Sequence, residues 1–243
     1  MNEPGSYYFV VALGATGVTP SDVVFSTLRE KYPQFASKCE REGVRYTIYS
    51  GPEQDATKGV GRSWKSFFHV ANREECEQKM REGGWSWSWG EGPPGVQVPA
   101  NFLKCTTPRL DAIKFVPGTS RRCFFNQLIA TLANALEFSK VGTREDGDVK
   151  SSTPTQAGID ACVRFADGDP VKLDILLDAK SICERNAVDI QWKKGDVALV
   201  CNYSMMHARR PWGGAEGTRK LLASLVQEKN LGLQTAGQLI ARL

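Results

Sequence analysis

VDIQWKKGDVALVCNYSMMHARRPWGGAEGTRKLLASL, residues 188–225, contains the strand patterns that decide the fold. Residues 188–192 alternate apolar and polar side chains, which is the period of a half-buried strand. Residues 193–196 have the composition of a turn. Val197–Val200 is a short apolar run typical of a buried strand, and a further apolar strand is predicted over Leu221–Val226. The stretch therefore predicts consecutive antiparallel strands.

Two side chains suited to binding lie between these strands. His207 follows the run that ends at Val200, and Arg219 comes twelve positions later, just before the last strand. Two antiparallel strands would place the imidazole and the guanidinium near the same end of a β-barrel. A neutral imidazole is a suitable ligand for Fe(II). A planar guanidinium can bind a carboxylate through two charge-assisted hydrogen bonds.

Eight residues of the stretch resemble the C-terminal signature of the TauD/TfdA-like, clavaminate-synthase-like Fe(II)/2-oxoglutarate dioxygenases. They are Gly195, Asp196, Asn202, His207, Arg209, Pro211, Trp212 and Arg219. The resemblance implies that His207 is the last metal ligand and that Arg219 binds the far carboxylate of 2-oxoglutarate, assisted by Arg209. It implies an oxygenase that decarboxylates 2-oxoglutarate and hydroxylates a small organic substrate, with the metal and co-substrate supplying the difficult chemistry.

Earlier segments resemble successive blocks of the same family in the same order. GVTP at 17–20 is similar to a block whose threonine touches 2-oxoglutarate, although Gly17-Val18 replaces the usual Gly-Glu. This implies Thr19 as a co-substrate contact, while a helix or turn cap is the alternative role. FFN at 124–126 implies that Asn126 lines the substrate pocket, with a structural turn as its alternative.

The fold implied by the resemblance is mostly β with flanking helices (α+β), a double-stranded β-helix or jelly-roll of two antiparallel sheets. We expect one oxygenase domain over residues 1–243. Periodicity and capping patterns predict helices over 21–31, 33–43, 72–84 and 128–136 and from Asp169-Pro170 onward, the last with Leu173, Leu176, Leu177 and Cys183 inward. Strands are predicted over 7–13, 44–48, 85–89 and 123–125, the third with Trp85, Trp87 and Trp89 on one buried face, and 14–20 is predicted to be a loop.

The family's other two metal ligands come from an H-x-[DE] motif, and the 243 residues contain none. Val-Ala follows His69, which we interpret as structural, and Ala-Arg follows His207. Glu3 is the carboxylate closest to where the motif would end. Three hypotheses follow: an N-terminally incomplete sequence, a non-standard ligand set that includes a cysteine, or a degenerate, non-catalytic jelly-roll. That degenerate domain would retain a carboxylate pocket or act by binding a partner.

Composition limits the class of protein. The chain is 41% hydrophobic and 24% charged with a net charge of +4, which is typical of a globular protein and gives no nucleic-acid footprint. Arg209, Arg210, Arg219 and Lys220 would bind nucleic acid only as part of a continuous basic face. No apolar run approaches the ~20 residues of a membrane span. Seven cysteines without a C-x-x-C pair predict reduced thiols in a cytoplasmic protein. We expect a small-molecule substrate, and the sequence predicts no oligomeric state.

Overall fold

The computed structural model describes residues 6–11, 14–53, 62–139, 153–193, 195–209 and 222–227. Within these ranges, the strands are β1 (Ser6–Val11), β2 (Gly14–Pro20), β3 (Val44–Ser50), β4 (Ser86–Trp89), β5 (Leu103–Thr106), β6 (Ile113–Phe115), β7 (Arg122–Phe124), β8 (Val163–Phe165), β9 (Val188–Trp192), β10 (Ala198–Cys201), β11 (Met205–Arg209) and β12 (Leu222–Gln227). The helices are α1 (Ser21–Lys31), α2 (Pro33–Glu42), α3 (Trp64–Phe68), α4 (Arg73–Glu82), α5 (Thr131–Ser139), α6 (Gln156–Cys162) and α7 (Leu173–Arg185).

The chain divides into two compact units. The first consists of Met1–Pro33, Ile113–Phe125 and Ser181–Leu243, and the second of Gln34–Ala112 and Asn126–Lys180. Each unit is therefore built from segments that are distant in sequence. The expectation of one oxygenase domain over 1–243 stays a prediction.

The first unit contains two three-stranded antiparallel sheets, with the strand orders β10-β1-β12 and β11-β2-β9, and the β6–β7 hairpin. The consecutive strands β9, β10, β11 and β12 alternate between the two larger sheets. The predicted sheet-rich α+β class with antiparallel sheets is confirmed. The alternation is compatible with a jelly-roll, in which the chain passes repeatedly from one sheet to the other.

The prediction of a loop over 14–20 was wrong, because this segment forms β2, the central strand of its sheet. It pairs with β9 on one side, with Thr16 opposite Ile190, and with β11 on the other, with Thr19 opposite Met206. Without knowledge of its pairing partners, the glycine, threonine and proline content of this segment is typical of a loop. Pairing along both edges supplies the backbone hydrogen bonds that the local composition does not predict.

The second unit contains a four-stranded antiparallel sheet with the order β4-β5-β3-β8. One of its faces covers a core cluster of Trp64, Cys76, Met80, Leu103 and Cys105. Trp85, Trp87 and Trp89 pack against this cluster, which confirms that the three tryptophans lie on one covered face.

Three of the predicted helices begin and end close to where the sequence places them. The clearest end is that of α2 at Gly43, which has a φ of 65° and approaches the backbone of Leu110. A Cβ at Gly43 would lie 2.4 Å from the Leu110 carbonyl oxygen, so only glycine fits there. At the start of α4, Asn72 Oδ1 accepts a hydrogen bond from the Glu75 N–H, which confirms the predicted cap.

Two helices begin later than the sequence predicts. Helix α5 starts at Thr131, after a turn that includes Leu128, and α7 starts at Leu173. Pro170 forms an isolated β-bridge with Arg164 and so lies outside α7. Leu176 is buried, as expected, but Leu177 is exposed. Within the ranges given above, no helix is long and apolar enough to cross a membrane.

Candidate functional site

The candidate site in the first unit is built on β11, the strand that carries His207. His207 lies opposite Val18 of β2, in the middle of the β2–β11 pair. Val18 is buried, whereas His207 is exposed. The surrounding protein removes part of the imidazole's hydration and so lowers the pKa of His207 below its ordinary value. The neutral imidazole, which is the form that binds a metal, is thereby favoured.

A buried hydrogen bond fixes the strand next to His207. The indole Nε1–H of Trp192 donates to Thr16 Oγ1 over 2.9 Å. Because side chains two positions apart share one face of a strand, Thr16 and Val18 lie on the same face of β2. His207, directly opposite Val18, shares that face. This bond therefore holds β9 to β2 on the face that presents the imidazole.

Thr19 lies on the other face of the same sheet. It is opposite Met206, one register away from His207, and it is buried. Its Oγ1–H donates to the Cys183 carbonyl oxygen over 3.0 Å. The Cys183 sulfur lies 3.8 Å from the Met206 sulfur. The structure therefore does not bring Thr19 and His207 to one face, and the co-substrate contact of Thr19 stays a prediction.

The structure describes only some of the residues that are predicted to bind the metal or the co-substrate together with His207. Arg209 ends β11, with its backbone opposite Thr16, and its side chain lies outside the description. Arg219 and Glu3 lie outside the described residues. The strand that follows Arg219 pairs with β1, not with β11. The expectation that His207 and Arg219 lie near the same end of a barrel stays a prediction, because Arg219 itself is outside the described residues.

Asn126 belongs to the second unit, where it supports a turn before α5. Its Nδ2–H donates to the Ala112 carbonyl oxygen, and its Oδ1 accepts from the Leu128 N–H, both over 2.9 Å. Both ends of the amide are thus engaged with backbone groups. The structural alternative has this direct support, and the substrate-pocket assignment stays a prediction.

Iron requires more ligands than the described part of the chain brings together. A non-haem Fe(II) site of the 2-His-1-carboxylate type uses three protein side chains. Among the residues that the structure describes, no group of three or more His, Cys, Asp and Glu side chains is placed to hold a metal ion. These residues alone therefore do not fit an iron centre.

The other histidine has a structural position. His69 is exposed and caps the C-terminus of α3 with a left-handed φ of 54°. The sequence did not lead us to a second feature, a cavity on the sheet of the second unit that is partly lined by Arg45, Thr47 and Tyr49 of β3. The alternation in VRYTIYS was the signal that could have found it, because it places these three side chains on one face.

The chain matches the profile of a protein family over most of its length. The profile of the "Taurine catabolism dioxygenase TauD, TfdA family" matches residues 14–225. A clavaminate synthase-like protein of Arabidopsis thaliana is 30% identical over 214 residues, which is 87% of this chain and 56% of the relative. The chain thus spans little more than half the length of that curated relative.

A solved structure also aligns with the chain. It is a Burkholderia xenovorans protein proposed to be an alpha-ketoglutarate dependent 2,4-D dioxygenase. The alignment has a TM-score of 0.43 and 12% sequence identity, and it covers 93% of this chain and 63% of the other.

Proposed function

Because the chain belongs to the TauD/TfdA family of dioxygenases, we propose that it acts in an Fe(II)- and 2-oxoglutarate-dependent oxygenation of a small organic substrate. The observation that carries the proposal is the extent of the family match. The match runs over 14–225 and includes every residue assigned from the family resemblance: Thr19, Asn126, His207, Arg209 and Arg219.

In this proposal His207 binds the metal and Arg219 binds the distal carboxylate of 2-oxoglutarate. The exposed position of His207 and its lowered pKa both suit a ligand that must be neutral and accessible. Arg219 would contribute a two-pronged, charge-assisted contact. Arg209, which ends the same strand as His207, is proposed to assist. Because no group of three ligands lies within the described residues, at least one further ligand would come from outside them, where Glu3 is the candidate.

The proposal is tested by adding Fe(II) and 2-oxoglutarate to the 243-residue chain without oxygen. Chelation of bound iron by 2-oxoglutarate gives a weak visible charge-transfer band. We expect this band in the parent protein and its loss in His207→Ala. The control is His69→Asn, which removes the other histidine while keeping a residue type that tolerates a left-handed backbone. This control should keep the band.

The proposed role of Arg219 is tested by measuring, by calorimetry, how tightly the chain binds 2-oxoglutarate. Arg219→Ala should weaken binding by about tenfold or more, since a hydrogen bond to a charged group is worth about 1.5–3 kcal/mol. Arg219→Lys keeps the charge but loses the planar fork, so an intermediate affinity is expected. A folded protein that binds 2-oxoglutarate without giving the band would contradict the oxygenase. It would favour the alternative, a non-catalytic domain that retains a carboxylate pocket.

A further inference from the structure

The sheet of the second unit has one face whose polar side chains include several cations. Tyr49 lies opposite Lys104, and Thr47 opposite Thr106, in the pairing of β3 with β5. Alternation along β3 places Arg45 on the same face as Thr47 and Tyr49. The other face of these strands contributes buried residues such as Leu103 and Cys105. The polar face is therefore the one directed away from the core cluster.

Two arginines lie directly opposite each other on this face. Arg45 of β3 pairs with Arg164 of β8 in the antiparallel register. Directly opposed residues of an antiparallel pair have Cβ atoms about 4.5–5.5 Å apart, and like charges at this separation are destabilising. A bound anion between the two guanidinium groups would convert this repulsion into attraction.

The cations on this face are neutralised unequally. Arg164 donates to Asp160 Oδ2 over 3.1 Å and to the Gly168 carbonyl oxygen over 3.0 Å. Lys104 forms an ion pair with Glu91. The side chain of Arg45 has no ion-pair or hydrogen-bond partner among the described residues. The Arg45 guanidinium therefore keeps all of its N–H donors for a ligand. The neighbouring Arg164 guanidinium keeps those N–H donors that do not contact Asp160 or Gly168.

These residues line a cavity of about 330 Å³. Its walls are Arg45, Thr47, Tyr49, Lys104, Thr106, Asp160, Ala161, Arg164, Phe165, Ala166 and Gly168. Thr47 and Thr106 share one hydrogen bond of 3.0 Å between their hydroxyl oxygens. Because each hydroxyl has one proton, the one that accepts keeps its own O–H for a ligand. All of these residues belong to the second unit, and none is assigned to the oxygenase chemistry.

We propose that this cavity binds a small oxyanion, a phosphate or carboxylate group, between Arg45 and Arg164. Lys104 and the free hydroxyl of the Thr47–Thr106 pair complete the set of donors. Three cations line the cavity, Arg164 is offset by Asp160 and Lys104 by Glu91, and Arg45, unpaired among the described residues, leaves a net positive charge that favours an anion. The volume suits a small metabolite. A nucleic-acid strand is disfavoured by Asp160 and by Glu91, which would repel the neighbouring phosphates.

The test uses inorganic phosphate and succinate, each titrated into the full chain by calorimetry, with sodium chloride of equal ionic strength as the reference. We expect phosphate or succinate to bind more tightly than chloride. The anion with the higher affinity shows whether the cavity prefers a phosphate or a carboxylate group. Arg45→Gln should weaken that binding by about tenfold or more. Arg45→Lys, which keeps the charge without the fork, should give an intermediate value.

The control is Lys172→Gln, which removes one charge from an exposed residue of the same unit that does not line the cavity. It should bind the anion like the parent chain. Without anion, Arg45→Gln should unfold at the same temperature as the parent or a higher one, since it removes the opposed like charge. Equal losses in Arg45→Gln and Lys172→Gln would overturn the proposal. So would an oligonucleotide that binds through Arg45 while neither small anion does.

Discussion

Thr19 and His207 occupy neighbouring registers of the β2–β11 pair but lie on opposite faces of the sheet. His207 is opposite Val18, and Thr19 is opposite Met206. The Thr19 hydroxyl donates to the Cys183 carbonyl oxygen over 3.0 Å. The local structure therefore gives Thr19 a stabilising role that does not depend on the co-substrate.

Thr19→Val should lower the free energy of unfolding by about 1–2 kcal/mol, because it leaves the Cys183 carbonyl without its donor. Thr19→Ser keeps the hydroxyl and should lose less. Urea unfolding measures both changes. The same variants also test the family-based role: weaker binding of 2-oxoglutarate by Thr19→Val, at unchanged stability, would show that the hydroxyl serves the co-substrate instead.

Asn126→Ala should destabilise the second unit by about 1–3 kcal/mol. The substitution removes the donor to Ala112 and the acceptor from the Leu128 N–H together. Asn126→Asp retains only the acceptor, so it should fall between the parent and Asn126→Ala in urea unfolding. If Asn126→Ala kept full stability but turned over substrate more slowly, the substrate-pocket assignment would replace the structural one.

Helices with local signals were predictable from the sequence. Three helices combine apolar periodicity with a cap, a proline or a glycine at one end: Ser21–Lys31, Pro33–Glu42 and Arg73–Glu82. These signals lie within a few residues of the element that they define. Val188–Trp192 was predictable as a strand for the same reason, since the alternation lies within the strand itself. The predicted covered face is only partly found: Trp192 is buried, but Val188 is exposed.

Elements that depend on distant partners were not predictable. Gly14–Pro20 has a loop composition and is a strand because β9 and β11 pair with it from more than 160 residues away. Likewise, Asp169-Pro170 has the pattern of a helix start but follows a turn and pairs back with β8: the Asp169 carbonyl oxygen accepts from the Phe165 N–H, and Pro170 forms a β-bridge with Arg164. The separation of Thr19 from His207 has the same origin, because a face is assigned only once the register is known.

Four buried cysteines should react slowly with alkylating reagents in the native protein. Burial raises the pKa of Cys39, Cys105 and Cys162 to about 12 and that of Cys76 to about 11. The reactive thiolate is therefore scarce at neutral pH, and access is blocked as well. Timed iodoacetamide labelling with peptide mass spectrometry should show modification of these four only after unfolding. The half-buried Cys201 serves as the internal reference. Labelling of Cys105 as fast as that of Cys201 in the native state would contradict the buried core of the second unit.

The ion pair of Lys38 with Asp167 and Asp169 should make the stability of the second unit depend on acid pH. The Lys38 Nζ lies 2.8 Å from Asp167 Oδ2, and this hydrogen bond, with a second from the Asp169 N–H, holds the pKa of Asp167 below its ordinary value of 3.8. A carboxyl with a lowered pKa in the folded state binds fewer protons there than in the unfolded chain. Its contribution is therefore complete above about pH 4–5 and is lost as the pH falls through the folded pKa.

Asp167→Asn removes this titration, so the variant should be less stable than the parent at pH 7 and should approach it near pH 3. Urea midpoints measured between pH 3 and pH 7 test the convergence. Asp111→Asn is the matched control, since Asp111 also pairs with a cation, Arg109 at 2.7 Å, but is not held by backbone N–H donors in the described structure. Lys38 is expected to matter at the other extreme: its two carboxylate partners raise its pKa, so its contribution should persist through neutral pH and disappear only in strong alkali. A constant difference between Asp167→Asn and the parent across the acid range would mean that Asp167 acts through packing and not through its charge.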